Sequence, residues 1–349
     1  MKYGPVLAFL IASSLVACSQ QKIAITSSST PTQVLAISTL QPIIIPTPSS
    51  TSTTRSSTPI PLNGTIVFTS TGRIYNGISL LNLQDGNIQS VTGMGSDSIS
   101  WSPDSDWIAF NGGIPPAQNG GIASHLLDLF IIKSNGSEYK RLTQSSQGKG
   151  DVNWSSDGKF LVYKYDNHIQ PSNLAVFDLG KETTYLLTAT NGYESYPAWS
   201  PDGKQIVYLY TQDHDHFSEL WLMDADGSNP KRVLDFKIAF SRIDWSPDGQ
   251  WIAFISAKNS LGCGDVHRVR PDGTELTQLT NLPGCALNVI WSPDGKHLAY
   301  IEQKDYFNNF KEWQSQISII DILGKIKIVV TLEETRQIND IDWQLVASP

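Results

Sequence analysis

The most regular feature of the chain is a ten-residue alternation of apolar and polar positions that returns five times. In "WSPDSDWIAF" from Trp101, "WSSDGKFLVY" from Trp154, "WSPDGKQIVY" from Trp199, "WSPDGQWIAF" from Trp245 and "WSPDGKHLAY" from Trp291, a tryptophan precedes four turn-forming residues. An aliphatic, a small or β-branched and an aromatic residue then follow. The tryptophans are 53, 45, 46 and 46 residues apart, and a sixth, Trp343 in "NDIDW", follows after 52 with no turn behind it. The missing half lies at the other end: "GTIVFTSTGRIY", Gly64 to Tyr75, has the strand that should follow a turn but no tryptophan strand before it. Each unit also carries a second pair of apolar runs around a Gly-containing turn, such as "LWLMDADGSNPKRVL" and "VHRVRPDGTELTQLT". Runs of four to six such residues around Asn-Gly or Asp-Gly predict hairpins, and helical periodicity is absent.

Four short strands in a unit of about 45 residues, repeated six times, predict an all-β, six-bladed β-propeller. Its strands are lettered a (ending in the tryptophan) to d. The split unit closes the ring, the C-terminal strand ending at Trp343 pairing with the blade begun at Gly64, which removes two exposed sheet edges. In Ser292-Pro293-Asp294-Gly295 the residue order fits a type I turn, with the fourth residue at positive φ. Trp291 and Leu298 to Tyr300 are then expected between blades, and His297 on the strand surface. A motif repeated in five blades is architecture, and no catalytic residue is assigned from it.

The five "W-S-[PS]-D-[GS]" turns with their following strands resemble the TolB-type propeller repeat over Gly64 to Trp343. The resemblance implies the propeller fold and a cell-envelope setting, without specifying a function. TolB carries a small α/β domain before its propeller. Here a Ser/Thr/Pro segment stands in that place, so contacts made by that domain are not carried over.

Residues 1–17 read as an export signal: Lys2, an apolar run, then small residues, too short for a membrane span. Leu15-Val16-Ala17-Cys18 resembles a bacterial lipobox, which implies lipidation of Cys18 and a lipid anchor as the only membrane contact. Residues 18–62 are expected to form a disordered tether, since 24 of the 36 residues from Thr26 to Pro61 are Ser, Thr or Pro. Fully extended, that stretch would reach on the order of 110 Å. The propeller is assigned to 63–349.

The first acidic residue is Asp85, so the folded part holds all 33 acids against 22 bases, a net charge of −11. Nucleic acid is thereby excluded as a partner, and an envelope protein or a polar or cationic ligand is favoured by a monomeric domain. Cys263 and Cys285 suggest one disulfide, reduced buried thiols being the alternative.

Antiparallel order puts the short a–b and c–d turns on one face and the variable b–c and d–a loops on the other, where binding is expected. Candidates there are Tyr306, Phe307, Phe310 and Trp313 of blade six, and His214, His216 and Phe217 of blade four. Asp213, His214 and His216 could hold a metal, against the plainer reading of a polar loop; no metal or cofactor is assigned. The residues three and one before each tryptophan are expected to line the axis, giving a channel with Asp151, Asp244, Asp340 and Asp342 against Arg242. The leading expectation is a non-catalytic binding platform. The alternative is an envelope enzyme acting on polysaccharide or glycan through the channel carboxylates and His214 or His216.

Overall fold

The structure, a computed structural model, describes residues 23–27, 32–37, 62–72, 77–113, 127–144, 147–166, 171–212, 217–258, 264–304, 314–325, 327–331 and 335–345. Among these residues all regular structure is β. After β1 (Ile23–Ser27) and β2 (Thr32–Ile37), blade one begins with β3 (Thr65–Gly72), β4 (Gly77–Asn82) and β5 (Ile88–Thr92). Blade two is β6 (Ile99–Trp101), β7 (Trp107–Gly113), β8 (Leu127–Lys133) and β9 (Tyr139–Arg141). Blade three is β10 (Gly148–Trp154), β11 (Phe160–Asp166), β12 (Asn173–Asp178) and β13 (Thr183–Leu186). Blade four is β14 (Tyr193–Trp199), β15 (Gln205–Thr211), β16 (Ser218–Asp224) and β17 (Lys231–Ile238). Blade five is β18 (Asp244–Trp245), β19 (Ile252–Ile255), β20 (Val266–Val269) and β21 (Thr277–Gln278), and blade six is β22 (Cys285–Trp291), β23 (His297–Lys304), β24 (Gln314–Asp321) and β25 (Lys327–Thr331).

The last strand, β26 (Thr335–Gln344), returns to blade one and pairs antiparallel with β3, from Thr335 opposite Gly72 to Gln344 opposite Thr65. The six four-stranded blades and the predicted closure are therefore both present. Six apolar clusters hold the disc together, one in each joint. Trp291, Leu298 and Tyr300 pack into the joint between blades five and six, while Ala299 faces the joint between six and one.

The five turns are built alike. Ser292 Oγ accepts from His297 N at 2.9 Å and donates to Asp294 Oδ1 at 2.6 Å, and Gly295, at φ 69°, donates to the Ser292 carbonyl at 2.9 Å. In blade two Ser105 takes the glycine's place at φ 64°, a conformation that costs a residue with a Cβ roughly 1 kcal/mol. His297 departs from expectation. Its side chain is only 12% exposed and lies 3.9 Å from Asp294, because the turn folds back over the start of β23.

The segment expected to be a bare tether also differs. β1 and β2 form a hairpin, and β2 pairs in parallel with β25, extending blade six to six strands. The sequence there, Ile23-Ala24-Ile25 and Val34-Leu35-Ala36-Ile37, is apolar, and β25 offers an otherwise unpaired backbone edge; ladder hydrogen bonds offset the ordering entropy.

Candidate functional site

In blades one, two, three and five the residues three and one before the tryptophan line cavities on the axis, as does Tyr196 of blade four, whereas Ala198 and Ile290 pack in the joints between blades. In blades three, four and six the ladder slips at a bulge, and Asp151, Tyr196 and Asn288 stand there at φ 51°, 48° and 40°. Left-handed backbone at three residues with a Cβ is strain that the surrounding packing must hold. The bulge re-aims these side chains toward the centre.

Most of the axial groups then bond sideways to the next blade. Asp342 accepts from Trp101 N at 2.7 Å, Ser100 from Trp154 N at 3.3 Å, Asn153 from Trp199 N at 3.0 Å and Asp244 from Trp291 N at 2.7 Å. Ala198 and Ile290 have no side-chain acceptor to offer at the remaining two joints. One layer up, Asp340 accepts from Ile99 N, Ser98 from Val152 N and Asp151 from Tyr196 N. The channel carboxylates thus serve first as staples between innermost strands.

Arg242 crosses this ring. From blade five it donates to the Ile99 carbonyl of blade two at 2.7 Å and the Ile341 carbonyl of blade one at 3.1 Å. It pairs with Asp340 at 3.4 Å and Asp342 at 3.2 Å. Asn288 of blade six links Arg242 N to Asp340. Two cavities lie along the axis. One of about 20 Å³, room for about one water, is lined by Asp97, Asp151, Tyr196, Arg242 and Asp340. The other, of about 190 Å³, is lined by Asp244, Asp342 and the turn residues.

Burial pushes Asp244 up to about 7 and Asp340 up to about 6, against the pull of the Arg242 charge. Asp151 is also raised by burial, opposed by Lys164 and the bond from Tyr196 N. Burial works against the Arg242 charge, but Asp342, Asp340 and Asp244 more than offset it, so its pKa is raised.

These shifts have a definite sign. A buried carboxylate whose folded pKa exceeds its unfolded value near 4 makes the folded state hold protons the unfolded chain has lost. Stability therefore falls as pH rises from about 4 toward 7, the value reached by Asp244. The turn carboxylates Asp157, Asp202, Asp248 and Asp294 are lowered and act oppositely: their contribution is present above pH 4 and lost in acid. Asp244→Asn is expected to gain about 1–2 kcal/mol at pH 8 and to flatten the slope between pH 5 and 7 in urea titrations. An unchanged slope would rule this origin out.

At the variable-loop mouth, Phe240 is 40% exposed and meets Tyr196 edge-on at 5.7 Å, with Lys164 Nζ 6.0 Å from its ring. Asp97 is exposed at the same mouth. Buried carboxylates anchor the loops around it. Asp128 accepts from Thr143, Arg141 and Lys149, and Asp265 from Thr280, Gln278, Lys258 and Leu282 N.

The structure places Asp151, Arg242, Asp244, Asp340 and Asp342 around the two axial cavities, and sets Phe217 beneath Lys237, whose Nζ is 4.6 Å from the ring. Asp213, His214, His216, Tyr306, Phe307, Phe310, Trp313, Cys18 and Cys263 lie outside the described residues. Among the described residues no group of three His, Cys, Asp or Glu side chains is arranged to hold a metal. Phe240 and Lys164 carry no sequence signal, because neither belongs to the ten-residue motif.

The repeat geometry has a match in known proteins. The model of the TolB beta propeller domain matches residues 60–241 and 170–327. The chain belongs to this family. Tol-Pal system protein TolB of Francisella tularensis subsp. mediasiatica is 26% identical over 111 residues, 31% of this chain and 25% of TolB. The match thus spans about a quarter of that relative's length. Among solved structures, TolB from Acinetobacter baumannii superimposes with a TM-score of 0.63 at 16% identity, over 80% of this chain and 66% of that one. An oligogalacturonate lyase from Vibrio parahaemolyticus reaches 0.52 at 16% identity, over 74% of each chain. Both structural likenesses are likenesses of fold.

Proposed function

We propose that this TolB-family propeller is an exported, non-catalytic platform that captures an envelope protein or a polar, cationic ligand at its variable-loop mouth. The observation that carries the reading is the mouth itself: strained Asp151 and Tyr196 on the axis, beside the exposed Phe240 ring and the Asp97 carboxylate. An exposed aromatic over a rigid, acidic rim suits a partner that offers an apolar anchor and a positive charge.

Crosslinking of purified protein to envelope extract should give a defined adduct that Phe240→Ala with Asp97→Asn, both at exposed positions, loses at least tenfold, with an unchanged melting temperature. Retention of the adduct in the double variant sinks the site assignment. The rival reading, a glycan-directed enzyme using Asp244 or His214 and His216, would require turnover of envelope polysaccharide.

Lipidation of Cys18 and a Cys263–Cys285 disulfide belong to the same proposal. The disulfide is supported by the antiparallel bridge between Gly264 and Ala286, the sequence neighbours of the two cysteines, whose backbones bond at 3.0 Å, and by the burial of Cys285. Intact mass before and after reduction reads both modifications.

A further inference from the structure

Away from the axis, this acidic domain gathers positive charge in one joint. Arg268 and Arg270 stand two apart at the end of strand c in blade five and so share a face. Their guanidinium carbons lie 4.2 and 4.0 Å from the centroid of the Trp251 ring, hence within about 8.2 Å of each other. Trp251 packs against the apolar cluster between blades five and six, which places the pair at that joint.

The two arginines are not equivalent. Arg270 repeats a device seen in blade two, where Lys133 lies 5.5 Å from the Trp107 ring and pairs with Glu138. It is likewise tied down, by Glu275 at 3.4 Å and Gln250 at 2.9 Å. Arg268 has no counterpart. It sits opposite Ala253 in the ladder, and the residues at that register in the other blades are Leu80, Ile131, Val176, Leu222 and Ile319. A guanidinium therefore occupies a slot that five blades fill with a hydrocarbon. Among the described residues it makes no ion pair or hydrogen bond, and its Nε is buried without a partner.

Its surroundings do not neutralise it either. Burial and the like charge of Arg270 both lower the Arg268 pKa, with Glu275 the opposing charge. Asp248 and Asp272 interact with Arg270. Stacking on an indole returns less than it costs to hold an unpaired charge partly out of water. A bound anion would satisfy the open donors and screen the two cations from each other.

We propose that Arg268, with Arg270 and Trp251, forms an oxyanion site that takes one phosphate, sulfate or carboxylate group. Arg268 supplies the fork that engages two oxygens, Arg270 adds field, and Trp251 fixes both planes. The site stands apart from the axial mouth, so its ligand and the mouth's partner can be lost independently.

Calorimetric titration of the whole protein with inorganic phosphate, sulfate and glucuronate, each alone at low salt, tests this and separates the oxyanions. Wild type is expected to bind at least one of them saturably, and Arg268→Leu to bind it at least tenfold more weakly. Arg268→Lys should fall between, since an ammonium cannot present the fork. The Leu variant should melt at or above the wild-type temperature, because neighbouring blades carry Leu or Ile there; if it does not fold, Arg268→Gln replaces it. Equal binding by wild type and the neutral variant, or no saturable binding by wild type, overturns the proposal.

Discussion

Replacing Arg242 with methionine is expected to lower the unfolding free energy by roughly 3–5 kcal/mol, the range typical when one partner of a buried ion pair is removed. The methylene volume is retained, so the loss isolates the guanidinium. Without it, Asp340 and Asp342 keep their backbone donors but lose the charge that balances them. The Ile99 and Ile341 carbonyls lose a donor as well. Urea denaturation at pH 8 measures the effect, and acid should reduce it, because protonated carboxylates no longer need a counter-ion. Adding Asp340→Asn and Asp342→Asn should recover part of the loss. A penalty under about 1 kcal/mol for Arg242→Met would mean that the axis is held by backbone pairing alone.

Ending the chain at Glu334 is expected to abolish cooperative unfolding altogether. This removes β26, leaves blade one without its innermost strand and strips Ile338, Ile341 and Trp343 from the joint between blades six and one. Each is nearly or fully buried, and deleting such side chains costs about 2–5 kcal/mol apiece. Their sum approaches or exceeds the whole stability of an ordinary domain, about 5–15 kcal/mol. The closing staples to Ile99 N and Trp101 N disappear with them. Thermal melts followed by circular dichroism should lose their sigmoid, and a peptide spanning 335–345 added in trans should restore it. A truncated chain that still melts sharply at the native temperature would show that five complete blades suffice.

The ring was legible because its turns are chemical as well as hydrophobic. Ser, Pro, Asp and Gly occur in the order the turn requires, so five copies located strands a and b without any knowledge of packing. The two half-units at the ends then fixed the closure. The axial positions were legible by counting back from each tryptophan, which picks out Asp151, Arg242, Asp244, Asp340 and Asp342. What those residues do there was not. Whether a side chain bonds sideways, as Asp244 does, or reaches across, as Arg242 does, depends on bulges and length that spacing does not encode. His297 looked like a surface residue since its counterparts Gln205 and Trp251 differ in kind. Arg268 became visible only through the ladder: opposite Ala253 it falls in a row of aliphatic residues, a comparison that needs the register of strand c.

The closure at blade one has a mechanical side. Thr65, where the chain enters the blade, lies opposite Gln344, where it leaves. A pull that separates the two ends would load their ladder one pair at a time, as a zipper, instead of shearing all pairs together. Counted from that open end, Asp342 is the third pair, and it is there that Arg242 takes hold. The guanidinium is thus a pin set a short way into the zipper: tension can fray the outermost pairs, but opening the disc requires drawing a charge away from the carboxylates that hold it.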